Sequence, residues 1–235
     1  MRPVAIPLVT NTMARPKRAA HNEPTEFSLI ETMLWRPEDG FVRLERHMMR
    51  LSRSADALGF RLPVKPKEAL EEAVSGDVPL RVRLVSSFRG KVEVTTAPFE
   101  PVADGAIWRL RIARETQLDS NDPLYRHKTT RREPYEAARA EFTPEEADEV
   151  LLLNERGELC EGTITNLFVE GPDGILITPQ LSSGVLPGIL RGELIRERKA
   201  TNGVLKPADL TGIRKVFVGN SLRGLIPAEL VVEAD

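Results

Sequence analysis

An α+β chain of two lobes is what the sequence predicts, and three observations predict it. Short apolar stretches of strand character recur along nearly the whole length, punctuated by turns rich in Gly, Pro and Asp. Helical periods are few and isolated, so strands and helices do not alternate as a doubly wound sheet would require. Pro98 to Gly105 (PFEPVADG) breaks the pattern near the middle with two prolines and a glycine. The division that follows is a small N-terminal α/β lobe over residues 1–98, a linker over 99–105 and a larger C-terminal lobe over 106–235.

In order along the chain, residues 1–26 show no clear period and predict a loose arm or an edge strand. FSLIETMLW predicts a strand, and the PEDG turn at Pro37 to Gly40 makes it a hairpin with FVRL. Leu44, Met48, Leu51, Ala55 and Leu58 recur at helical spacing, and Gly59 ends that helix. A second helix runs from Pro66 through Val74, and PLRVRLVSS pairs with KVEVTTAPF across Arg89-Gly90-Lys91. After the linker come a strand, WRLRIARE, and a loop leading into YRHKTTRREPY, helical from Pro134, where a missing N–H costs nothing. EVLLLNE, ITNLFVE and GILITP predict strands, Pro187 to about Arg198 a helix, PADLTG a helical turn and KVFVGNS a strand. SLRGLIPAELVV closes the chain as a last strand or edge.

Bulk numbers exclude several function classes. The 235 residues are 41% hydrophobic and 29% charged with a net charge of −2, which offers no strong positive field for nucleic acid. No apolar run approaches the roughly 20 residues of a membrane span. The single cysteine, Cys160, has no internal disulfide partner, and the N-terminus lacks an apolar core with a small-residue cleavage site, so the cytoplasm is expected. His21, His47 and His127 are too scattered to predict a metal site, and none is assigned.

Three groups carry candidate chemistry. Lys128 stands beside His127 and two threonines just before a helix, with Arg126, Arg131 and Arg132 as the cations to lower its pKa. Glu161 interrupts an apolar strand, where a glutamate either faces solvent or has a buried partner. Leu186-Pro187-Gly188, opening a helix, leaves backbone N–H groups free for a phosphate, and Gly219-Asn220-Ser221-Leu222 adds a hydroxyl after a strand. Among the arginines, Arg83, Arg89 and Arg223 are candidates for a substrate carboxylate.

Taken together, ERHMMRLSRSADALGF, the lysine of RHKTT, ERGELCEGTITNLF, TPQLSSGVLPGILR and VGNS resemble, in that order, the class IV aminotransferase family. The resemblance covers nearly everything from Phe27 onward and implies a fold type IV, D-amino acid aminotransferase-like architecture with pyridoxal 5'-phosphate as cofactor. It implies Lys128 as the lysine that carries the cofactor, Glu161 at the pyridine nitrogen, Arg50 on the phosphate and Leu186 on the ring face. It places backbone N–H groups of Ile189 and Leu190, with Ser221 and Leu222, around the phosphate, and leaves Tyr135 as a candidate for the phenolic oxygen. Within the family HKTTRREPYEAA and EGTITNLFV look most like aminodeoxychorismate lyase, which forms 4-aminobenzoate and pyruvate. That subtype implies Thr32 at the leaving group and Arg83 or Arg89 on a carboxylate. Amino-group transfer from a branched-chain or D-amino acid is the alternative, and a cofactor-free binding or regulatory protein on the same scaffold a third. A small-molecule substrate and a homodimer are expected from the same likeness.

Overall fold

The computed structural model describes residues 27–212 and 215–231, so the expected N-terminal arm lies outside the described residues. The chain begins with β1 (Leu29–Arg36), β2 (Gly40–Phe41), α1 (Leu44–Ala57), α2 (Pro66–Glu72), β3 (Leu80–Ser86) and β4 (Val92–Pro98). It continues with β5 (Trp108–Leu118), a 3₁₀ turn at Pro123–Arg126, α3 (Glu133–Ala140), β6 (Glu149–Asn154) and β7 (Leu159–Gly162). The remainder is β8 (Asn166–Glu170), β9 (Leu176–Pro179), α4 (Ile189–Arg196), β10 (Ala200–Gly203), β11 (Val216–Asn220) and β12 (Gly224–Leu230), with 3₁₀ turns before α4 and before β11.

The first sheet has the order β2-β1-β3-β4, antiparallel throughout. Alternation decides its faces. Leu29 and Met33 of β1 join Met48, Leu51 and Ala55 of α1 in one core, while Ile30 and Thr32 face the other way. The hairpin expected over FVRL is shorter than the sequence suggests. Only Gly40 and Phe41 pair with β1, because Arg43 turns into the left-handed region (φ +60°) and the helix starts at Leu44.

The second sheet has the order β10-β9-β8-β11-β12-β5-β6-β7, and β7 also pairs β8 at Glu161 and Asn166. Strands β8, β11, β12, β5, β6 and β7 thus form a closed ring, which covers the free edge of β7 and leaves β10 as the sheet's edge. Leu110, Leu151, Leu159, Leu167, Val218 and Ile226 fill one buried cluster of it. Of the two readings open for the C-terminal stretch, a last strand or an edge, the structure has the last strand: β12 lies between β11 and β5 and runs parallel to β5. The β5–β6 pair is parallel too, so the sheet is mixed. Strand β10, which the sequence reading did not foresee, pairs in parallel with β9.

The two sheets meet at the lysine. Thr129 bridges Leu29 on the β1 edge, Ile30 N–H donates to the Lys128 carbonyl (2.9 Å) and Thr130 N–H to the Ser28 carbonyl (2.9 Å). Lys128 therefore sits in a short extended stitch against the small sheet, with α3 starting five residues later at Glu133.

One buried carboxylate shapes the turn after β7. Glu149, 1% exposed, accepts from Thr163 Oγ1 (2.6 Å) and N–H (2.9 Å), Val150 N–H (2.9 Å), Thr165 Oγ1 (2.8 Å) and Ile164 N–H (3.1 Å). A Cβ on Gly162 would fall 2.7 Å from Glu149 Oε2, so only glycine fits there. Replacing Glu149 by Ala leaves those donors buried without an acceptor, and the expected loss is about 3 kcal/mol or more. A fall in the urea midpoint with unchanged slope checks it.

Candidate active site

A cavity of about 320 Å³ opens where the two sheets meet, between β1, the 127–135 segment, the turn after β7, the start of α4 and the turn after β11. Lys128, Glu161, Thr32, Arg50, Leu186 and Ser221 all line it. Ile189, Leu222 and Arg83 line it as well, and Leu190 is buried one residue into α4. Arg89 stands apart: it is exposed in the turn between β3 and β4 and is not among the lining residues.

Glu161, 4% exposed, is the penultimate residue of β7, at the ring closure. Its Oε1 accepts from Tyr135 Oη (2.8 Å) and Leu186 N–H (3.2 Å), and its Oε2 from Asn166 Nδ2 (3.0 Å). Burial pushes its pKa up to about 7, against the lowering effect of the Tyr135 and Leu186 hydrogen bonds and the charges of Lys128 and Arg132. Lys128 moves the other way. Burial, and then the positive charges of Arg50 and Arg132, bring its amine down to about 8. The cations acting on it are thus Arg50 and Arg132, where the sequence reading named Arg126, Arg131 and Arg132; Arg126 and Arg131 are exposed. An acid held near 7 and an amine held near 8 in one cavity are poised to exchange protons at neutral pH.

The Tyr135 hydroxyl donates to Glu161, and the Arg132 guanidinium lies 4.9 Å over its ring. Leu222 N–H is likewise engaged by Asn220 Oδ1 (3.0 Å). At the start of α4 the N-cap is Gly188, two residues into the stretch expected to be helical, so Ile189 and Leu190 carry the first free N–H groups. A Cβ on Gly188 would collide with Asn166 Oδ1, which explains the glycine.

Sequence reasoning missed a second buried carboxylate. Glu31, 1% exposed, faces α1 and takes a two-pronged guanidinium from Arg50 (Nε to Oε1 2.8 Å, Nη2 to Oε2 2.6 Å). Its Oε2 also meets His47 Nδ1 (2.7 Å), and His47 Nε2 meets Ser221 Oγ (2.8 Å). Burial works to raise Glu31, but the charge and hydrogen bonds of Arg50 and His47 outweigh it and hold the carboxyl at about 2. The signal was in the spacing: His47, Arg50 and Ser54 share one face of α1, and Ser54 Oγ reaches His127 Nδ1 (2.9 Å) beside the lysine.

Also lining the cavity, Arg81, Arg83 and Arg223 show no side-chain hydrogen bond or ion pair among the described residues. Burial lowers Arg83, and Arg132 and Arg81 lower it further; burial and Arg81 do the same to Arg223, with Glu149 opposing. Among the described residues no group of His, Cys, Asp and Glu could hold a metal ion, and no helix is long and apolar enough to cross a membrane.

A half-buried amine and a buried acid line one cavity, with Arg50, Ser221 and the start of α4 beside them, a combination of the kind an enzyme site uses. The chain belongs to the amino-transferase class IV family, whose model matches residues 28–231. A "Probable branched-chain-amino-acid aminotransferase" of Thermotoga maritima is 28% identical over 201 residues, 80% of this chain and 71% of that one. The structure of a "Putative amino-acid aminotransferase" from Mesorhizobium loti superposes with a TM-score of 0.85 at 48% identity, covering 88% of this chain and all (100%) of that one. That of a "Putative 4-amino-4-deoxychorismate lyase" from Legionella pneumophila gives 0.75 at 22% identity over 86% and 82% of the two chains, a likeness of fold.

The pH dependence of stability follows from Glu161. The folded chain keeps its proton up to about 7, whereas the unfolded chain releases it near the ordinary 4.5. Between those values the native state binds more protons, so this group's contribution falls as pH rises. Replacing Glu161 by Gln is expected to remove that decline, read as the difference between wild-type and variant unfolding free energies from pH 4.5 to 7.

Proposed function

We propose that the chain is a pyridoxal 5'-phosphate-dependent lyase that converts 4-amino-4-deoxychorismate to 4-aminobenzoate and pyruvate. The observation that carries the choice of substrate is the cluster of Arg81, Arg83 and Arg223 facing the cavity without an ion pair among the described residues. Like charges held together at reduced solvation call for an anionic ligand, and a substrate with two carboxylates supplies it.

The donor set fits the cofactor. Lys128 would carry it, Glu161 would face its ring nitrogen, and Leu186 would pack on its ring. Arg50, Ser221 and the N–H groups of Ile189 and Leu190 would take its phosphate, at a helix start where only glycine fits at the N-cap. When bound, the group supplies an electron sink next to the amine-bearing carbon of the substrate. Lys128, brought toward neutrality by burial, Arg50 and Arg132, takes the proton from that carbon. Glu161 holds its proton near the ring nitrogen, steadied by Tyr135 and Asn166. Thr32, on the cavity face of β1 and paired in register with Arg83, donates its hydroxyl to the ether oxygen as the carbon–oxygen bond breaks. Arg83 and Arg223 hold the carboxylates. A homodimer and a cytoplasmic location belong to the same reading.

A second reading is amino-group transfer, favoured by the names of the Thermotoga and Mesorhizobium relatives. The two separate cleanly. Pyruvate released from 4-amino-4-deoxychorismate with no 2-oxo acid present supports the lyase; glutamate formed from an amino acid and 2-oxoglutarate, with no pyruvate, supports the transferase. In either case Lys128→Ala is expected to abolish the near-visible absorbance of the bound cofactor and to lower turnover by at least about a thousandfold. A coloured and active Lys128→Ala protein would remove the central assignment.

A further inference from the structure

The charge that lines the cavity is opposite in sign to that of the chain. Seven arginine and lysine side chains line it against three acidic ones, Asp122, Glu133 and Glu161. The protein as a whole has a net charge of −2. Glu161 keeps its proton up to about 7, the Asp122 carboxylate accepts from Leu124 N–H (2.8 Å), and Glu133 is exposed at the start of α3. A cleft lined by one sign of charge focuses its field at the opening, where it acts on an approaching ion before any contact forms.

Alternation along β3 fixes which side chains share that opening. Val82 and Leu84 are fully buried in the core with α1, so Arg81 and Arg83 project to the other face, opposite Leu34 and Thr32 of β1 in register. Arg223 arrives from the turn between β11 and β12 of the second sheet. Exposure separates the three. Arg83 and Arg223 are half-buried, whereas Arg81 is exposed, and its charge acts on both of the others. The two carboxylates of the proposed substrate are matched by Arg83 and Arg223, which leaves Arg81 over.

We propose that Arg81 is a steering residue: it draws anions into the cavity and is not one of the groups that hold them there. This rests on the reading of the cavity as the site of a phosphorylated cofactor and a dicarboxylate substrate. A positive charge at the rim acts mainly on the association rate and on its dependence on salt. A charge in contact with the bound anion acts on the dissociation rate instead. The cofactor enters the same cavity, so the rate at which its dianionic phosphate is taken up reports the field without any need for turnover.

The test follows uptake of pyridoxal 5'-phosphate by the full chain freed of cofactor, in stopped-flow absorbance at fixed pH. Arg81→Gln is expected to slow the second-order phase about threefold at roughly 20 mM salt, and Arg81→Glu about tenfold, because it changes the rim by two charges. Arg81→Lys is expected to keep the wild-type rate. The differences close near about 0.5 M salt, where the screening length is about 4 Å. The dissociation rate, read from the zero-concentration intercept, stays the same throughout. Pyridoxal, which lacks the phosphate, is expected to enter all four proteins at one rate. Arg61, exposed and outside the cavity lining, serves as the control for net charge, and Arg61→Gln is expected to behave as wild type. An unchanged association rate in Arg81→Gln, or a loss that lies in the dissociation rate, overturns the inference and leaves the cofactor reading standing. Equal slowing in Arg61→Gln overturns it too. A wild-type chain that takes up no pyridoxal 5'-phosphate overturns both.

Discussion

The pairing of Glu161 with Asn166 holds the rest of this architecture in place. It is the one register position at which β7 meets β8, and it closes the ring of strands. The same two side chains also bond to each other, and Asn166 Nδ2 reaches on to the Leu186 carbonyl (3.1 Å). Leu186 in turn donates its N–H to Glu161. The last rung of the sheet, the acid of the cavity and the approach to α4 are thus a single hydrogen-bonded unit. A carboxylate in such a place is desolvated by the fold itself, and its elevated pKa is a by-product of the closure rather than a separate device.

Around that unit the structure sorts its buried carboxylates by partner. Glu31 has a guanidinium and an imidazole and stays ionised far into acid. Glu161 has a phenol, an amide and a backbone N–H, with the cations farther off, and holds its proton to near neutrality. Glu149 spends its oxygens on hydroxyls and backbone of the turn it shapes. Three glutamates with the same intrinsic chemistry become an anchor, a proton holder and a template. The difference lies in what each strand delivers to them.

Much of this was legible in the sequence. The order of strands and helices, the lysine before α3, the interrupted strand at Glu161 and the glycine ahead of α4 all leave local marks, because each is fixed by neighbours a few residues away. Long-range closure leaves none. That β12, antiparallel to its neighbour β11, also pairs in parallel with β5 depends on a partner more than a hundred residues distant, and GLIPAEL alone leaves a last strand or an edge open. Within FSLIETMLW nothing marks Glu31 as a buried carboxylate, because its partners, His47 and Arg50, sit on another element. The commitments of Tyr135 to Glu161 and of Leu222 to Asn220 are likewise matters of packing, invisible in a motif.

The extended stitch that ties the lysine's backbone to β1 has a broader meaning. The segment 128–130 follows β5 of the second sheet in the chain but takes its backbone partners, Ser28, Leu29 and Ile30, from the start of the first sheet. The position of the Lys128 amine is therefore set by both sheets at once, and a shift of one sheet against the other would be felt first as a change in the reach of that side chain.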